Sequence, residues 1–329
     1  MLKTKNSSFI KIVFSILILW PILFLSLQFY LWHSDKTFLI FCDVGQGDAI
    51  LFVRKDFQML VDTGPNNDQV QSCLNHYLPF FDRELDILVL THPDADHIGS
   101  APQVVRNFSP RLILAPPIGK ENFVFQELLE EINLKPQTIV ENFPDQKHLE
   151  INNDISIVFY VNYSSDMAFD NPFTIKTDNQ TLSAKKSSKI IASTEYNDLS
   201  IATFLNIEGK KVLLTGDLEK KGESVLINRG VLNKIDLLKV GHHGSKSSTQ
   251  AQFLELLQPR HAIISVGRNN YGHPATEIIE RLASHQVETF RTDLLGDIVY
   301  LFDHSLVWFS SGKNLNYFRI FFSKNKVFD

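Results

Sequence analysis

Excess positive charge, cysteine and glycine are all scarce in this 329-residue sequence. Lys and Arg number 32 against 37 Asp and Glu, a formal net charge of -5. Such a balance excludes a protein that coats nucleic acid by bulk electrostatics, while leaving room for a local basic groove. Two cysteines are too few to report a redox compartment. Cys42 falls in an apolar run and Cys73 on a predicted helix, so both read as packed side chains. Fifteen glycines, with 44% hydrophobic and 21% charged residues, exclude a disordered chain. The length allows one large core or two ordinary ones.

Charge is also missing from a stretch near the start. Lys3, Lys5 and Lys11 precede an apolar run from Ile12 to Trp32, interrupted only by small or weakly polar residues and Pro21. A helix needs about 20 such residues to span a bilayer. Trp20, Tyr30 and Trp32 supply aromatics, the latter two where an interfacial belt would sit. The exit, QFYLWHSDK, has no small-x-small cleavage site. Residues 1–35 are therefore expected to be an uncleaved anchor in the cytoplasmic membrane, contacting it through 12–32. Lysines precede the run and none immediately follows it, which places the N-terminus inside and residues 36–329 outside.

Beyond the anchor the pattern is mixed α/β. Three short strands fill KTFLIFCDVGQGDAILFVRKDFQMLVDTG, with turns at 44–47 and 54–56. A helix at about 68–78, a buried strand at 85–90 and a helix at 101–108 follow. RLILAPP and QTIV read as strands around the amphipathic helix NFVFQELLEEI. From 161 to 194 the sequence is polar and turn-rich, an expected insertion or mobile flap. Order resumes with two strands around Glu208-Gly209, a helix at 220–228, a strand at 235–240, a helix at 251–257, the strand HAIISV and a helix opened by Pro274. Hairpins followed by strand-helix alternation suit two sheets packed face to face with helices outside.

Reactive side chains cluster just past strand C-termini. The loop LTHPDADHIGS carries His92, Asp94, Asp96 and His97. On an extended chain His92 and Asp94 point the same way, while Asp96 and His97 diverge. One short loop can thus feed two neighbouring points, as two divalent ions ~3.5–4 Å apart require. Asp217 follows an apolar strand in LLTGDLE, and His242 and His243 follow another in LLKVGHHGS, with glycines on both sides that let the backbone turn sharply. Asp62 in LVDTG is placed to orient a ligand or water.

Together these blocks resemble the metallo-β-lactamase superfamily over residues 38 to 301. Within it, the chain is similar to the C-terminal domain of the ComEC family of DNA-uptake proteins. The likeness rests on DVGQGDAIL (with Asp43 and Gln46), LVDTG, LVLTHPDADHIGS, NDLSIA (with Asp198), LLTGDLE, LLKVGHHGSKSS, SVGRNNYGHP and RTDLLGDI. The resemblance implies an αββα sandwich, after one transmembrane helix, that binds two divalent ions and hydrolyses a phosphodiester, with DNA the expected substrate. His92 and Asp94 would hold one ion and Asp96 and His97 the other. Asp217 would bridge, and one of His242 and His243 would complete the second site, His242 being preferred and the other facing the substrate.

Two features depart from the wider superfamily. Asp94 stands where it has a histidine, as is usual in the ComEC branch. No ligand histidine lies between the loop and Asp217; His148, in KHLEIN, reads as a surface strand entry, and Asn197, Asp198 or Ser200 is expected to face the site instead. An oxygen-rich site favours harder ions such as Mn²⁺ or Mg²⁺, or a weaker second Zn²⁺; Mn²⁺ or Zn²⁺ is expected here. His273 is the candidate for protonating the leaving group or contacting phosphate, beside Asp96 in the catalytic set. Ser245, Lys246 and Arg268 are candidates for gripping phosphates. With one expected span the chain does not conduct DNA by itself, and a separate uptake channel is an expected partner. Hydrolysis of a phosphorylcholine ester, lactone or thioester, and a weakly catalytic DNA-binding accessory, are the competing readings.

Overall fold

The computed structural model describes residues 13–23, 26, 36–116, 119–120, 122–142, 145–161, 196–303 and 305–311. Residues 13–23 form a helix in which every side chain is exposed, Phe14, Leu17, Leu19 and Trp20 included. Among the described residues no helix is long and apolar enough to cross a membrane. Apart from this helix and Ser26, the 12–32 run lies outside the described residues, as does the 161–194 insertion except Val161.

Two sheets make up the rest. The first has eight strands in the order β15-β14-β1-β2-β3-β4-β5-β6. These are β1 (Thr37–Phe41), β2 (Ile50–Arg54), β3 (Phe57–Val61), β4 (Glu84–Val89), β5 (Ser109–Leu114), β6 (Ile139–Glu141), β14 (Asp297–Asp303) and β15 (Ser305–Ser311). The second runs β13-β12-β11-β10-β9-β8-β7. Its strands are β7 (Gln146–Asn152), β8 (Ile155–Tyr160), β9 (Ala202–Ile207), β10 (Lys210–Leu214), β11 (Leu237–Lys239), β12 (His261–Ile264) and β13 (Glu288–Arg291).

The alternation of side chains along each strand builds three cores. Leu39 and Phe41 of β1 and Met59 and Val61 of β3 face Val212 and Leu214 of β10 between the sheets. Ile40 and Leu60 point the other way, under the helices Gln69–Tyr77, Ala101–Asn107 and Phe123–Asn133. Leu213 and Leu238 pack under the helices of the second half. Strands buried on both faces read as continuous apolar runs, which is how they appear in the sequence. Deleting one such side chain, as in Phe41→Ala, costs about 3–5 kcal/mol.

Register brings the strand ends together. In the first sheet β3 and β4 run parallel with Val61 opposite Val89, so Asp62 and the 90–97 loop leave the sheet side by side. In the second, β10, β11 and β12 are parallel, with Leu214 opposite Lys239 and Lys239 opposite Ile263. Asp217 and the GHHG turn therefore emerge at neighbouring points.

Two sequence expectations are corrected. The cysteines do not pack as separate thiols: Cys42 and Cys73 form a disulfide, with Cα atoms 6.0 Å apart. They stand 31 residues apart, and only the packing of the 69–77 helix on the end of β1 brings them together. The helix expected to open at Pro274 spans Thr276–Ser284 with Ala275 as its N-cap, so the proline lies just before it.

Candidate metal centre

Past β4 the chain turns into a four-residue helix, Ala95–Ile98, with Asp94 as its N-cap in extended conformation. Asp96 and His97 sit in that turn and Asp94 outside it. The expected pairing of His92 with Asp94 is not what the structure places here. Asp94 turns outward to an ion pair with Lys120, whose ammonium lies 5.0 Å above the Tyr196 ring. The chain bends at His92 and Pro93, so Asp94, though itself extended, does not point along with His92.

His92, His97, His242 and His243 surround Asp217. His97 Nε2 lies 3.2 Å from Asp217 Oδ1, while the Nε2 atoms of His243, His92 and His242 lie 3.6, 3.8 and 3.8 Å from Oδ2. Asp96 Oδ2 approaches His243 Nε2 to 3.3 Å. Asp96, His97, Asp217 and His243 form a group whose ligand atoms all fall within 4.8 Å of one another. His243, rather than the preferred His242, therefore joins the Asp96–His97 side, and His242 lies with His92.

The GHHG backbone explains this division. His242 (φ 45°, ψ 48°) and His243 (φ 53°, ψ 24°) are both left-handed, at a cost of order 1 kcal/mol or more each for residues with a Cβ. The two rings are thrown apart, 6.1 Å between centroids at 69°. Strain of this kind persists where the surroundings over-determine it.

Each imidazole uses Nδ1 outward and leaves Nε2 for the centre. His97 Nδ1 donates to Asp62 Oδ2 at 2.7 Å, and Asp62 is fixed in turn by the Thr91 amide and hydroxyl at 2.8 and 2.7 Å. His243 Nδ1 donates to the Ser265 carbonyl at 2.9 Å, and His242 Nδ1 to Glu219 Oε1 at 2.8 Å. His92 Nδ1 lies 3.1 Å from Thr91 Oγ1 and 3.3 Å from Ser200 Oγ. Such outer partners fix tautomer and ring orientation. The Nε2 atoms of His92, His97 and His243, and Asp217 Oδ1, are buried without hydrogen-bond partners. Buried polar atoms without partners, gathered at ligand spacing, are what a divalent cation would satisfy. The donor set fits one.

The charges of Asp217 and the imidazoles set one another's protonation. Burial works against ionised Asp217, yet His97 and His243 outweigh it and hold its pKa well below the usual carboxylate range. Burial likewise opposes a charged His97, but Asp217 and Asp62 raise its pKa well above the ordinary value. His92 moves the other way, lowered well below by burial and by His97. Burial raises the pKa of Asp96, but the neighbouring imidazoles of His243 and His97 bring it down. His242 is raised despite burial, because Glu219 pairs with it.

Two residues at the centre escaped the sequence reading. Lys239, at the end of β11, is completely buried. Its ammonium donates to the Gly216 carbonyl at 2.9 Å, pairs with Asp48, and lies 3.8 Å from Asp217 Oδ1. Asp48 in turn lies 3.6 Å from His243 Nδ1 and 3.9 Å from His97 Nδ1. The signals were a lysine inside the apolar strand LLKV and an aspartate opening the apolar AILF. Gly47 lets this loop approach: at φ +144°, a Cβ there would lie 2.2 Å from the Asp96 carbonyl.

The remaining candidates divide. Asn197 Nδ2 lies 3.3 Å from His242 Nδ1, and Ser200 Oγ accepts from the Asp217 amide at 3.2 Å. Asp198 instead accepts from the Glu219 and Gly222 amides at 3.1 and 2.8 Å and faces the start of the 220–228 helix. The Asp43 amide donates to Asp297 Oδ1 at 2.7 Å, away from the centre. Gln46 Oε1 accepts from the Gly267 amide at 3.4 Å, and Ser245 Oγ lies 2.8 Å from Ser247 Oγ. Lys246 and Arg268 are exposed. His273 stands 5.4 Å from His242, ring to ring, with its pKa lowered by burial and by His242. His148 is exposed on β7, the last strand of its sheet, and takes no part.

Comparison with known proteins agrees with this geometry. Residues 42–161 and 197–268 match the model of the metallo-beta-lactamase superfamily. The chain is 31% identical over 287 residues to ComE operon protein 3 of Bacillus subtilis, covering 82% of this chain and 33% of that protein. It is 28% identical over 312 residues to Recombination protein 2 of Haemophilus influenzae, covering 91% and 32%. The chain thus spans about a third of the length of the curated relatives it matches, and the homology to ComEC-family competence proteins is confined to that part. The metallo-β-lactamase fold protein YhfI from Bacillus subtilis superposes with a TM-score of 0.50 at 14% identity, covering 82% of this chain and 100% of YhfI, a likeness of fold alone.

Proposed function

We propose, from the premise that this chain belongs to the metallo-β-lactamase superfamily, that it is a metal-dependent phosphodiesterase that cleaves DNA. The observation that carries the reading is the convergence of four imidazoles and Asp96 on Asp217, with buried ligand atoms left unsatisfied. Asp96, His97, Asp217 and His243 would hold one divalent ion. His92, Asp217 and His242 face the second position, with Asn197 and Ser200 beside it. Bound there, such ions supply Lewis-acid chemistry, acidifying the attacking water and neutralising phosphate charge.

The chain's own residues do the rest. Asp62, Glu219 and the Ser265 carbonyl keep the Nε2 atoms aimed inward. His273, 5.4 Å from His242 ring to ring, is placed to contact the phosphate. Lys246 and Arg268 offer the cations that a phosphate backbone needs. DNA is favoured over other phosphodiesters by the likeness to proteins named for recombination and competence.

The anchor reading has its own support. An apolar helix at 13–23 with every side chain exposed suits a non-aqueous surrounding, and Lys3, Lys5 and Lys11 precede it. A disulfide in the catalytic domain suits an oxidising compartment outside the cytoplasm. The domain then works at the outer face of the membrane, beside a separate channel.

The test is direct. The full chain in detergent, stripped of metal and reloaded with Mn²⁺, Zn²⁺ or Mg²⁺, is assayed on single-stranded DNA, plasmid and bis-p-nitrophenyl phosphate. Cleavage of DNA is expected. Turnover of the small diester alone would move the substrate to another phosphate ester, and DNA binding without turnover would leave an accessory role. A silent periplasmic reporter at the C-terminus would overturn the topology.

A further inference from the structure

The most exposed large apolar side chain among the described residues is Tyr271, at 77%. It belongs to none of the three cores. Its ring is stacked on His273, with centroids 5.9 Å apart and planes at 24°. His273 leads to His242 at 5.4 Å, and His242 Nε2 lies 3.8 Å from Asp217. A row of rings therefore runs from solvent to the metal centre.

The loop that presents Tyr271 is clamped. Asn269 donates from Nδ2 to the carbonyls of Gly267 and His273 at 2.9 and 2.8 Å, and its Oδ1 accepts from the amides of Tyr271 and His273 at 3.1 and 3.0 Å. The Ala275 amide donates to the Gly244 carbonyl at 2.9 Å, tying this loop to the GHHG turn. An aromatic ring held on a rigid turn loses little freedom when a ligand covers it. Arg268, exposed on the same loop, and Lys246, exposed just past GHHG, supply positive charge alongside.

We propose that Tyr271 is a stacking platform for one nucleobase beside the scissile phosphate, so that the site takes an unpaired strand in preference to a duplex. The proposal rests on the phosphodiesterase reading above. A flat ring stacks on any base, which gives affinity without sequence preference. In a duplex both faces of a base are covered by its neighbours, so the platform is reached only by a base already out of the stack. The cations take the backbone while the ring takes the base, the division of labour expected of a single-strand binder.

The experiment compares a short oligothymidylate with its abasic counterpart, whose phosphates are retained and whose bases are absent. Binding and cleavage are measured on the full chain loaded with metal. The wild type is expected to prefer the base-bearing strand by about tenfold in Kd and KM. Tyr271→Ala brings that ratio close to one, while Tyr271→Phe and Tyr271→Trp keep it, with metal content measured in each. A duplex of the same sequence shows no dependence on Tyr271. An unaltered ratio in Tyr271→Ala overturns the proposal. If the wild type cleaves neither oligonucleotide, the phosphodiesterase reading fails on its own. The binding ratio then still decides whether Tyr271 holds a base.

Discussion

The two sides of Asp217 are made of the same residue types and are held in different ways. On one, His97 and His243 are fully buried and anchored to a buried carboxylate and a backbone carbonyl, with Asp96 beside them. On the other, the His242 side chain is a quarter exposed and hangs from Glu219, itself 19% exposed, while His92 relies on two hydroxyls. The His97–His243 side has more carboxylate around it, with Asp96, Asp62 and Asp48 close by, so a cation there would be bound more strongly. Asp96 and His242 are the members of the cluster that reach solvent. If each side takes an ion, as proposed above, metal titration should show two unequal affinities.

The comparison can be broken most severely at its centre. Asp217→Ala removes the group both sides share. It is expected to lose both ions, seen by metal analysis, and activity by more than about a thousandfold, since several kcal/mol of charge stabilisation goes with it. Lys239→Met attacks the buried side from behind. It leaves Asp48 buried without its cation, and denaturation should show a loss of about 3–5 kcal/mol. The double variant Lys239→Met with Asp48→Asn recovers part of it. Equal stability in the single and double variants would show that the pair is not coupled.

Finer probes separate the sides. Asp62→Asn should weaken the tighter ion by about 10–100-fold and leave the weaker one in place, and Glu219→Gln should do the reverse. Competition with a graded chelator reads both. If either substitution lowers both affinities equally, the division is wrong.

The smallest effect concerns pH. Glu223 accepts from the amides of Thr249 and Gln250 in the loop after GHHG, and burial pushes its pKa up from 4.5 to about 7. The folded state then holds a proton that the unfolded chain releases. Stability supplied by this group is full below about pH 4.5 and falls as pH rises towards 7. Glu223→Gln should flatten that part of the stability profile.

Much of this arrangement is legible in the amino-acid sequence. Asp62, His92, Asp96, His97, Asp217 and the GHHG pair all follow apolar runs, and strand ends at one edge of a sandwich have to meet. Direction and pairing are not legible there. Which of His242 and His243 faces Asp96 depends on two consecutive left-handed residues, a conformation fixed by tertiary packing. Asp94 is misdirected by an extended-chain reading because the chain bends at His92 and Pro93 before it. Lys239 hides in an apolar strand, where a lone charge tells nothing of its distant partner at Asp48. The cysteines, on a helix and at a strand end, carry no mark of their contact.

That last bond has a topological consequence. Cys42 and Cys73 close a ring of chain that contains both Asp48 and Asp62, the two carboxylates behind His97. A single protease cut between the two cysteines, for instance at the partly exposed turn around Pro65, opens the ring but leaves the two pieces joined through the disulfide. The nicked chain would migrate as one piece on a non-reducing gel and as two after reduction, with both carboxylates on the piece that carries Cys42.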